Sequence, residues 1–332
     1  MRLPHRNPLL YRAVRTAGRP GLLWGSLLAA VVALLLPMGL HYVQAYRAAE
    51  AMRSAAGPVD IPWRKIARTG FVTAAGLQYL LAFLLAFAAA ANSLAGESLA
   101  RTREFFETLP ISPTDKTVGK ALGSAPLPLF VAALLSPAAL LLGRAGGIPW
   151  APLLWLQALL WVGAAAYVLL GLAIGSGMGG FRGGWVLLIL VLIAHWSSVG
   201  QVGLRRPWVP GLVLSPPSLI AITLDAAPNA AMDLPGEARL LYHGGVGFRF
   251  FTVSVPWQLC PLVLFGFFAV LLFALSRRKL SRPSGPPLFR PAVVLAVAVL
   301  AALLLGFSTN VLAAARGHAL FDLVRILYVL AF

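Results

Sequence analysis

The fold of this chain is decided by GLLWGSLLAAVVALLLPMGL, residues 21–40, a stretch of 20 residues without a charged side chain. A helix needs about 17–25 mainly apolar residues to cross the hydrocarbon core of a bilayer. Five further stretches of this kind lie at about 71–95, 123–142, 149–174, 257–276 and 291–314. A shorter one, 184–199, reaches the length of a span only with the glycine-rich residues 179–183 before it. The sequence therefore predicts an all-α integral membrane protein with seven spans.

The overall composition also indicates a membrane protein. Hydrophobic residues make up 59% of the chain and charged residues only 11%, and the mean hydropathy is +0.83. Soluble domains hold roughly 45–50% apolar residues. A net charge of +17 would suggest nucleic-acid binding in a soluble protein. In a membrane protein, basic residues at span ends contact lipid phosphates and set the topology. We therefore expect membrane lipids, and no nucleic acid, as partners of these charges.

Basic residues also indicate which span ends face the cytoplasm. Residues 1–20 form an amphipathic lead-in with five arginines, the linker 277–290 carries five basic residues, and neither holds an acidic one. Such clusters favour the cytoplasmic side of a membrane. An even number of crossings between them gives a six-span core at 21–276, with 96–120 in the cytoplasm. Residues 41–70 are then external, although they carry five basic residues.

Two further parts of the chain lie outside the predicted spans of the core. Residues 200–256 form the longest external loop, whose apolar part, 212–224, either dips into the bilayer or lies flat on it. Residues 291–332 comprise the seventh span and a C-terminal amphipathic segment. The single cysteine, Cys260, is expected to be a packed thiol at the start of a span.

The most unusual segment is GESLARTREFFETLPISPTDKTVGK, residues 96–120, in which eight charged residues lie between two apolar stretches. Each charge would cost about 2.5–3.5 kcal/mol at the bilayer centre, so the segment must lie outside the hydrocarbon. Residues 97–109 have an amphipathic helical pattern that Pro110 ends. Ser112 then begins a second helix as its N-cap, followed by a proline and by Asp115 near the positive end of the helix dipole. The pattern predicts a helix, a sharp break and a capped helix.

This segment resembles the corresponding part of permease subunits of type-2 ABC exporters. Residues 97–120 align with the pattern of that family without a gap. The matching residues are Glu97, Thr102, Glu104, Pro110, Ser112, Pro113, Gly119 and Lys120. The basic stretch NPLLYRAVR, residues 7–15, and the position of the segment between spans two and three are also similar. Arg101 and Arg103 differ from the family pattern, which often has Gly and Leu there.

The resemblance implies a function. In that family the segment is a coupling helix that docks on a separate ATP-hydrolysing subunit, and two six-span halves enclose the transport path. The residues that the resemblance implies for this coupling are Glu97, Thr102, Glu104, Phe106, Pro110 and Ser112. The expected protein is a permease of the bacterial plasma (inner) membrane with a cytoplasmic N-terminus. Its expected partners are an ATP-binding-cassette ATPase subunit and either a second copy of the chain or a paired permease.

Two other functions are open from the residues alone. One is a membrane-embedded enzyme or assembly factor for lipid or polysaccharide, which would need several carboxylates, histidines or a nucleophile near one membrane face. The other is an ion-coupled secondary carrier, which usually needs charged residues inside its spans. The chain has no GxxxxGK[ST] phosphate-binding loop, and its five histidines have no metal-ligand spacing. We expect no catalytic residue, no cofactor and no metal, and an external source of energy.

Several polar side chains lie in or near the predicted spans: Gln78, Asn92, Gln157, Gln258 and Asn310. Hydrogen bonding between helices is the role expected for them, and lining of a transport path is the alternative. His195, beside a tryptophan near the outer end of its span, is expected to mark the membrane interface.

Overall fold

A computed structural model describes residues 11, 15, 19–56, 63–99, 111–177, 216, 219–220, 223, 248–250, 253–255 and 259–281. In chain order, its elements are α1 (Pro20–Ala56), α2 (Trp63–Tyr79), a π-helical segment (Leu80–Leu85), α3 (Ala86–Leu99), α4 (Pro113–Ser124), α5 (Pro126–Ala145), α6 (Trp150–Gly177), β1 (Phe248–Phe250), β2 (Val253–Val255) and α7 (Leu259–Ser281). The second predicted span is thus one continuous stack of α2, the π-helical segment and α3.

Five of the predicted spans are confirmed as helical stretches long and apolar enough to cross a membrane. These stretches are Pro20–Arg47, Trp63–Ser93, Pro126–Ala145, Trp150–Gly175 and Pro261–Ser281. The other two predicted spans, 184–199 and 291–314, lie outside the described residues. The described part of the chain therefore has the almost wholly helical architecture of a multi-pass integral membrane protein.

The first two helices extend well beyond their apolar stretches. α1 continues to Ala56 and α2 already begins at Trp63, so most of the segment 41–70, which is predicted to be external, is helical. Long basic side chains let a helix continue past the apolar stretch, because their charged ends reach water while their stems cover the helix. Tyr42 stacks on Tyr46 and on Trp63, with ring centroids 6.3 and 5.6 Å apart. Stacked aromatic rings thus join α1 to α2. Aromatic residues are commonly found at membrane interfaces.

α2 is antiparallel to both α1 and α5. Gly70, in the first half of α2, lies against Met38 of α1 and Leu142 near the end of α5. Further along α2, Gln78 donates a hydrogen bond to the carbonyl oxygen of Ala132, near the start of α5, at 3.1 Å. Three consecutive spans therefore run up, down and up, as short connections between neighbouring helices require.

α6 and α7 both run parallel to the second span. Gly163 of α6 lies against Phe83 and Phe265, the latter in the first part of α7. Leu172, later in α6, shares an apolar cluster with Phe273, later in α7. The chain between α6 and α7 therefore connects opposite ends of the bundle. The predicted crossing at 184–199 would make that connection.

These directions define two ends of the bundle, which we call the α4 end and the turn end. The α4 end holds the starts of α1 and α5, the end of α3, the whole of α4 and the end of α7. The turn end holds the tight turn at Gly146 and Gly147 between α5 and α6, where the Nε of Arg68 donates to the carbonyl oxygen of Gly146 at 2.7 Å. Arg19 before α1 and the basic residues in the last turns of α7 share the α4 end. Members of the two basic clusters that the sequence assigned to one side of the membrane thus lie at one end of the structure.

Two glycines bring the backbones of α3 and α6 close together. A Cβ atom at Gly171 would come within 2.5 Å of the carbonyl oxygen of Phe87, and one at Gly175 would overlap the carbonyl oxygen of Ala91. Hydrocarbon gives no hydrophobic drive for helices to associate, so small residues that let backbones approach supply much of the packing energy. The two glycines therefore determine how closely the backbones of α6 and α3 approach each other.

A short antiparallel pair of strands interrupts the helical architecture. β1 and β2 pair with Phe248 opposite Val255 and Phe250 opposite Val253. Both strands fall within 200–256, the segment predicted as the long external loop, and they directly precede α7.

Candidate functional site

Ser112 is the N-cap of α4, as the sequence predicts. Its Oγ accepts a hydrogen bond from the backbone N–H of Asp115 at 3.1 Å and donates one to Oδ2 of the same residue at 2.7 Å. Pro113 occupies the first turn, where its missing N–H is not needed. The Asp115 carboxylate lies near the positive end of the helix dipole, which stabilises the negative charge. Together these contacts determine where α4 begins.

One side of α4 is buried against the ends of three membrane-crossing helices. Thr117, Gly119 and Lys120 are buried on that side, and α4 contacts α3, α6 and α7. Ala121 near the end of α4 packs in the same apolar cluster as Leu280 of α7. Because α4 touches all three helices, it cannot move as an independent loop without disturbing their ends.

α4 is also joined to α5 through one non-helical residue. Ala125, with φ −137° and ψ 47°, breaks the helix, and Pro126 begins α5. The carbonyl oxygen of Ala125 accepts from the N–H of Leu129 at 3.2 Å, so the break residue already belongs to the first turn of α5. A single residue thus connects the two helices, and the end of α4 and the start of α5 lie next to each other.

The other side of α4 carries charge. Ser112 is exposed, and Asp115 and Lys116 are half-buried at the start of the helix. The buried side of α4 thus holds Thr117, Gly119 and Lys120, and its more accessible residues at the helix start are polar. α4 therefore rests on the bundle and presents a polar surface away from it.

Only two of the predicted coupling residues lie within the described part of the chain. Ser112 is described in full, and Glu97 lies in the last turn of α3. Both therefore lie at the α4 end, on either side of the predicted break. The remaining predicted coupling residues, Thr102, Glu104, Phe106 and Pro110, lie outside the described residues.

A network of polar side chains lies in the middle of the bundle. The amides of Gln78 and Gln157 exchange hydrogen bonds, with Nε2–Oε1 distances of 3.2 and 3.0 Å. Gln78 Nε2 also lies 2.7 Å from the Oγ of Ser136, which accepts a further bond from Nε1 of Trp161 at 3.3 Å. Both glutamines are buried. The role predicted for them, hydrogen bonding between helices, is confirmed.

Not every buried polar atom in the described residues has such a partner. The Oδ1 of Asn92, the Oγ of Ser276 and the Nε1 of Trp155 are buried and, within the part of the chain that the structure describes, accept or donate no hydrogen bond. Asn92 lies on α3 and Ser276 on α7, two of the helices that α4 contacts. Asn92 lies in the middle of α3, and Ser276 lies in the second half of α7.

Sequence reasoning missed several features of this core. Ser136 and Trp161 join the glutamine network, and the π-helical segment begins just after Gln78. The serine was detectable as a hydroxyl within an apolar span, but its partners depend on how α2, α5 and α6 are rotated. π-Helical turns occur often at functional sites, and no residue type in LLAFLL, residues 80–85, signals one. Comparison with protein-family models, with curated proteins and with solved structures found no match for this chain.

Proposed function

We propose that this chain is the transmembrane permease subunit of an ATP-binding-cassette exporter, driven by a separate ATPase subunit through the segment 96–120. The observation that carries the proposal is the docking of α4. A capped helix rests on three membrane-crossing helices, continues into a fourth through a single residue, and turns a polar surface outwards. This arrangement suits an element that receives force from a partner and passes it to the membrane spans.

The proposal requires the α4 end to face the cytoplasm, where ATP is available. The basic residues at that end support this orientation, since Arg19 and the last turns of α7 carry positive charge at the same end as α4. In the proposed complex, the ATPase subunit contacts the region between Glu97 and Ser112. A second copy of this chain, or a related permease, completes the transport path.

Movement of α4 would change the spacing of the helices it touches. α3 and α6 are held together tightly by Gly171 and Gly175, so these two helices would move as a unit. α5 contacts α4 and joins it through Ala125, and α5 would shift against that unit. The glutamine network lies between the two groups, because it joins α2 and α6 to Ser136 of α5. We infer that this network breaks or re-forms when the path opens.

The direct test is stimulated ATP hydrolysis. The chain is placed in lipid nanodiscs with a candidate ATP-binding-cassette ATPase from the same genome, and ATP hydrolysis is measured with and without the permease. The double variant Glu104→Lys, Pro110→Ala should abolish the stimulation and the co-purification, because it reverses a charge and removes the break in the proposed contact.

A matched control comes from the opposite end of the bundle. Glu50 is exposed on α1 beyond the proposed contact, so Glu50→Lys reverses one charge and should leave the stimulation unchanged. Membrane insertion of both variants is checked by extraction and gel filtration. Full stimulation by the Glu104 and Pro110 variant would contradict the proposed coupling, and an enzyme or an ion-coupled carrier would then be the better interpretation.

A further inference from the structure

An apolar groove of about 430 Å³ lies between α1, the second span and α5. Its lining includes Ala30 and Ala33 of α1, Leu81 and Leu85 of the π-helical segment, and Leu127 of α5. The one side chain in its wall with a hydroxyl is Ser26, and that hydroxyl already donates to the carbonyl oxygen of Leu23 at 3.0 Å. The described residues that line the groove therefore offer hydrocarbon contacts and no free polar partner.

The position of the groove along α1 sets its depth in the membrane. Its lining on α1 runs from Ser26 to Ala33, and α1 begins at Pro20. With a rise of 1.5 Å per residue, the groove lies about 9–20 Å along the helix from its start. The hydrocarbon core is about 30 Å thick in total. With the start of α1 at the phosphate level, one half of a bilayer that is about 40–45 Å thick with its headgroups extends about 20 Å along the helix. The groove therefore lies in the leaflet at the α4 end, below the headgroups.

The helices do not close over this space. Where α3 meets α6, glycines bring the two backbones together. The alanines of α1 are also small and would allow α1 to approach the second span in the same way. Instead, Ala30 and Ala33 face Leu81 and Leu85 across the groove. α1 contacts α2 directly farther along, where Met38 meets Gly70. α1 is thus attached near the turn end and stands off from the bundle in the other leaflet.

A positive charge near the groove could contact the phosphate of a phospholipid. Arg19 is exposed immediately before α1, about 10 Å along the axis from Ser26 at 1.5 Å per residue. That distance separates the phosphate level of a leaflet from the upper part of its acyl chains. A phospholipid with its phosphate beside Arg19 would therefore lay one acyl chain along the alanine and leucine walls. We propose that the groove is a binding site for a phospholipid of the leaflet at the α4 end, which holds one acyl chain between α1 and the π-helical segment.

The experiment uses a phosphatidylglycerol that carries a photoreactive diazirine in the middle of one acyl chain. The full-length protein is reconstituted into vesicles of this lipid and then exchanged into detergent, which removes lipid that only surrounds the protein. After illumination, adducts are located by peptide mass spectrometry. The expected adducts lie on peptides that contain Ala30 and Leu81. Few are expected on Val32, which is exposed and does not line the groove.

A pair of tryptophan substitutions tests the site itself. Ala30→Trp fills the groove and should reduce the retained label about tenfold, since a well-filled site leaves no room for a chain. Val32→Trp adds the same ring on the exposed side of the same helix turn and should retain the label. Gel filtration shows whether both variants fold.

The distribution of label on the unmodified protein decides the question even if Ala30→Trp misfolds. Equal labelling of Ala30 and Val32 would overturn the proposal, because it would mean that lipid only surrounds α1. A groove without label would overturn it as well. A second copy of this chain or residues 291–332 would then be the occupant, and disulfide cross-linking from Ala30→Cys would identify which of them it is.

Discussion

The side-chain amides of Gln78 on α2 and Gln157 on α6 donate one hydrogen bond to each other, with Nε2–Oε1 distances of 3.2 and 3.0 Å. Ser136 of α5 extends the pair to a third helix. Water is absent from the hydrocarbon core, so groups that lose these bonds find no substitute there. The paired amides therefore hold three helices at one rotation and one relative height.

The first prediction concerns this pair. Gln78→Leu and Gln157→Leu should each lower the free energy of unfolding by about 1–3 kcal/mol, because each leaves the other amide buried without its main partner. The double variant should lose clearly less than the sum of the two losses, since no amide is then left unpaired. Unfolding of the purified protein in mixed micelles of mild detergent and SDS measures all three values.

A second pair of substitutions serves as its control. Gln78→Leu combined with Ser112→Ala involves residues without a shared contact, and their effects should add within about 0.5 kcal/mol. If the two glutamine substitutions were equally additive, the amides would not be coupled and the network would not hold the helices in register.

The second prediction concerns the contact between α3 and α6. Gly171→Ala should lower the free energy of unfolding by about 1–3 kcal/mol or more, because the new Cβ would lie 2.5 Å from the carbonyl oxygen of Phe87. Gly76→Ala is the matched control, since nothing lies within 4 Å of a Cβ at that position. It should be neutral or stabilising by up to about 1 kcal/mol through helix propensity. Equal tolerance of both substitutions in the same SDS titration would show that α6 does not seat closely on α3.

The third prediction concerns the cap of α4. Ser112→Ala removes the acceptor for the Asp115 N–H and should destabilise the start of α4 by about 1 kcal/mol. Under the proposed function, it should also reduce the stimulation of ATP hydrolysis. Ser112→Asp keeps a cap acceptor and should retain most of the stimulation.

A serine at the other end of the same helix provides the comparison. Ser124 donates to the carbonyl oxygen of Ala121 at 3.1 Å and caps no helix start, so Ser124→Ala should leave the stimulation unchanged. If the alanine and aspartate variants at Ser112 behaved alike, the hydroxyl would act by some means other than capping.

The fourth prediction concerns the orientation of the bundle. Single cysteines are introduced as Ala145→Cys at the turn end and Thr114→Cys at the α4 end, in a chain in which Cys260 is replaced by serine. With the α4 end in the cytoplasm, a membrane-impermeant maleimide should label Ala145→Cys in intact cells. It should label Thr114→Cys only after the cells are permeabilised. The reverse pattern would put α4 outside the cell, beyond the reach of any ATPase.

Apolar length alone predicted all five membrane-crossing helices that the structure describes, because a bilayer imposes one length on every span. The cap at Ser112 was predicted equally well, since its hydrogen bond joins residues three apart and needs no other part of the chain. The end of α1 and the start of α2 were not predicted. These turns are basic and partly polar, so apolar length does not identify them, yet both are helical, with aromatic stacking between Tyr42 and Trp63.

The sequence by itself determined the class of the protein, the positions of the five described helices that are long enough to span a membrane, and the local start of α4. These depend on composition, on run length and on contacts between near neighbours. Only the tertiary structure decided that Gln78 meets Gln157, that Gly171 meets the backbone of Phe87, and that α4 rests on α7. Each of these contacts depends on how one helix is rotated and shifted against another. A membrane helix is apolar on nearly every side, so the hydrophobic pattern of its sequence does not specify this rotation. The rotation is specified by the packing of small residues and by hydrogen bonds between polar side chains.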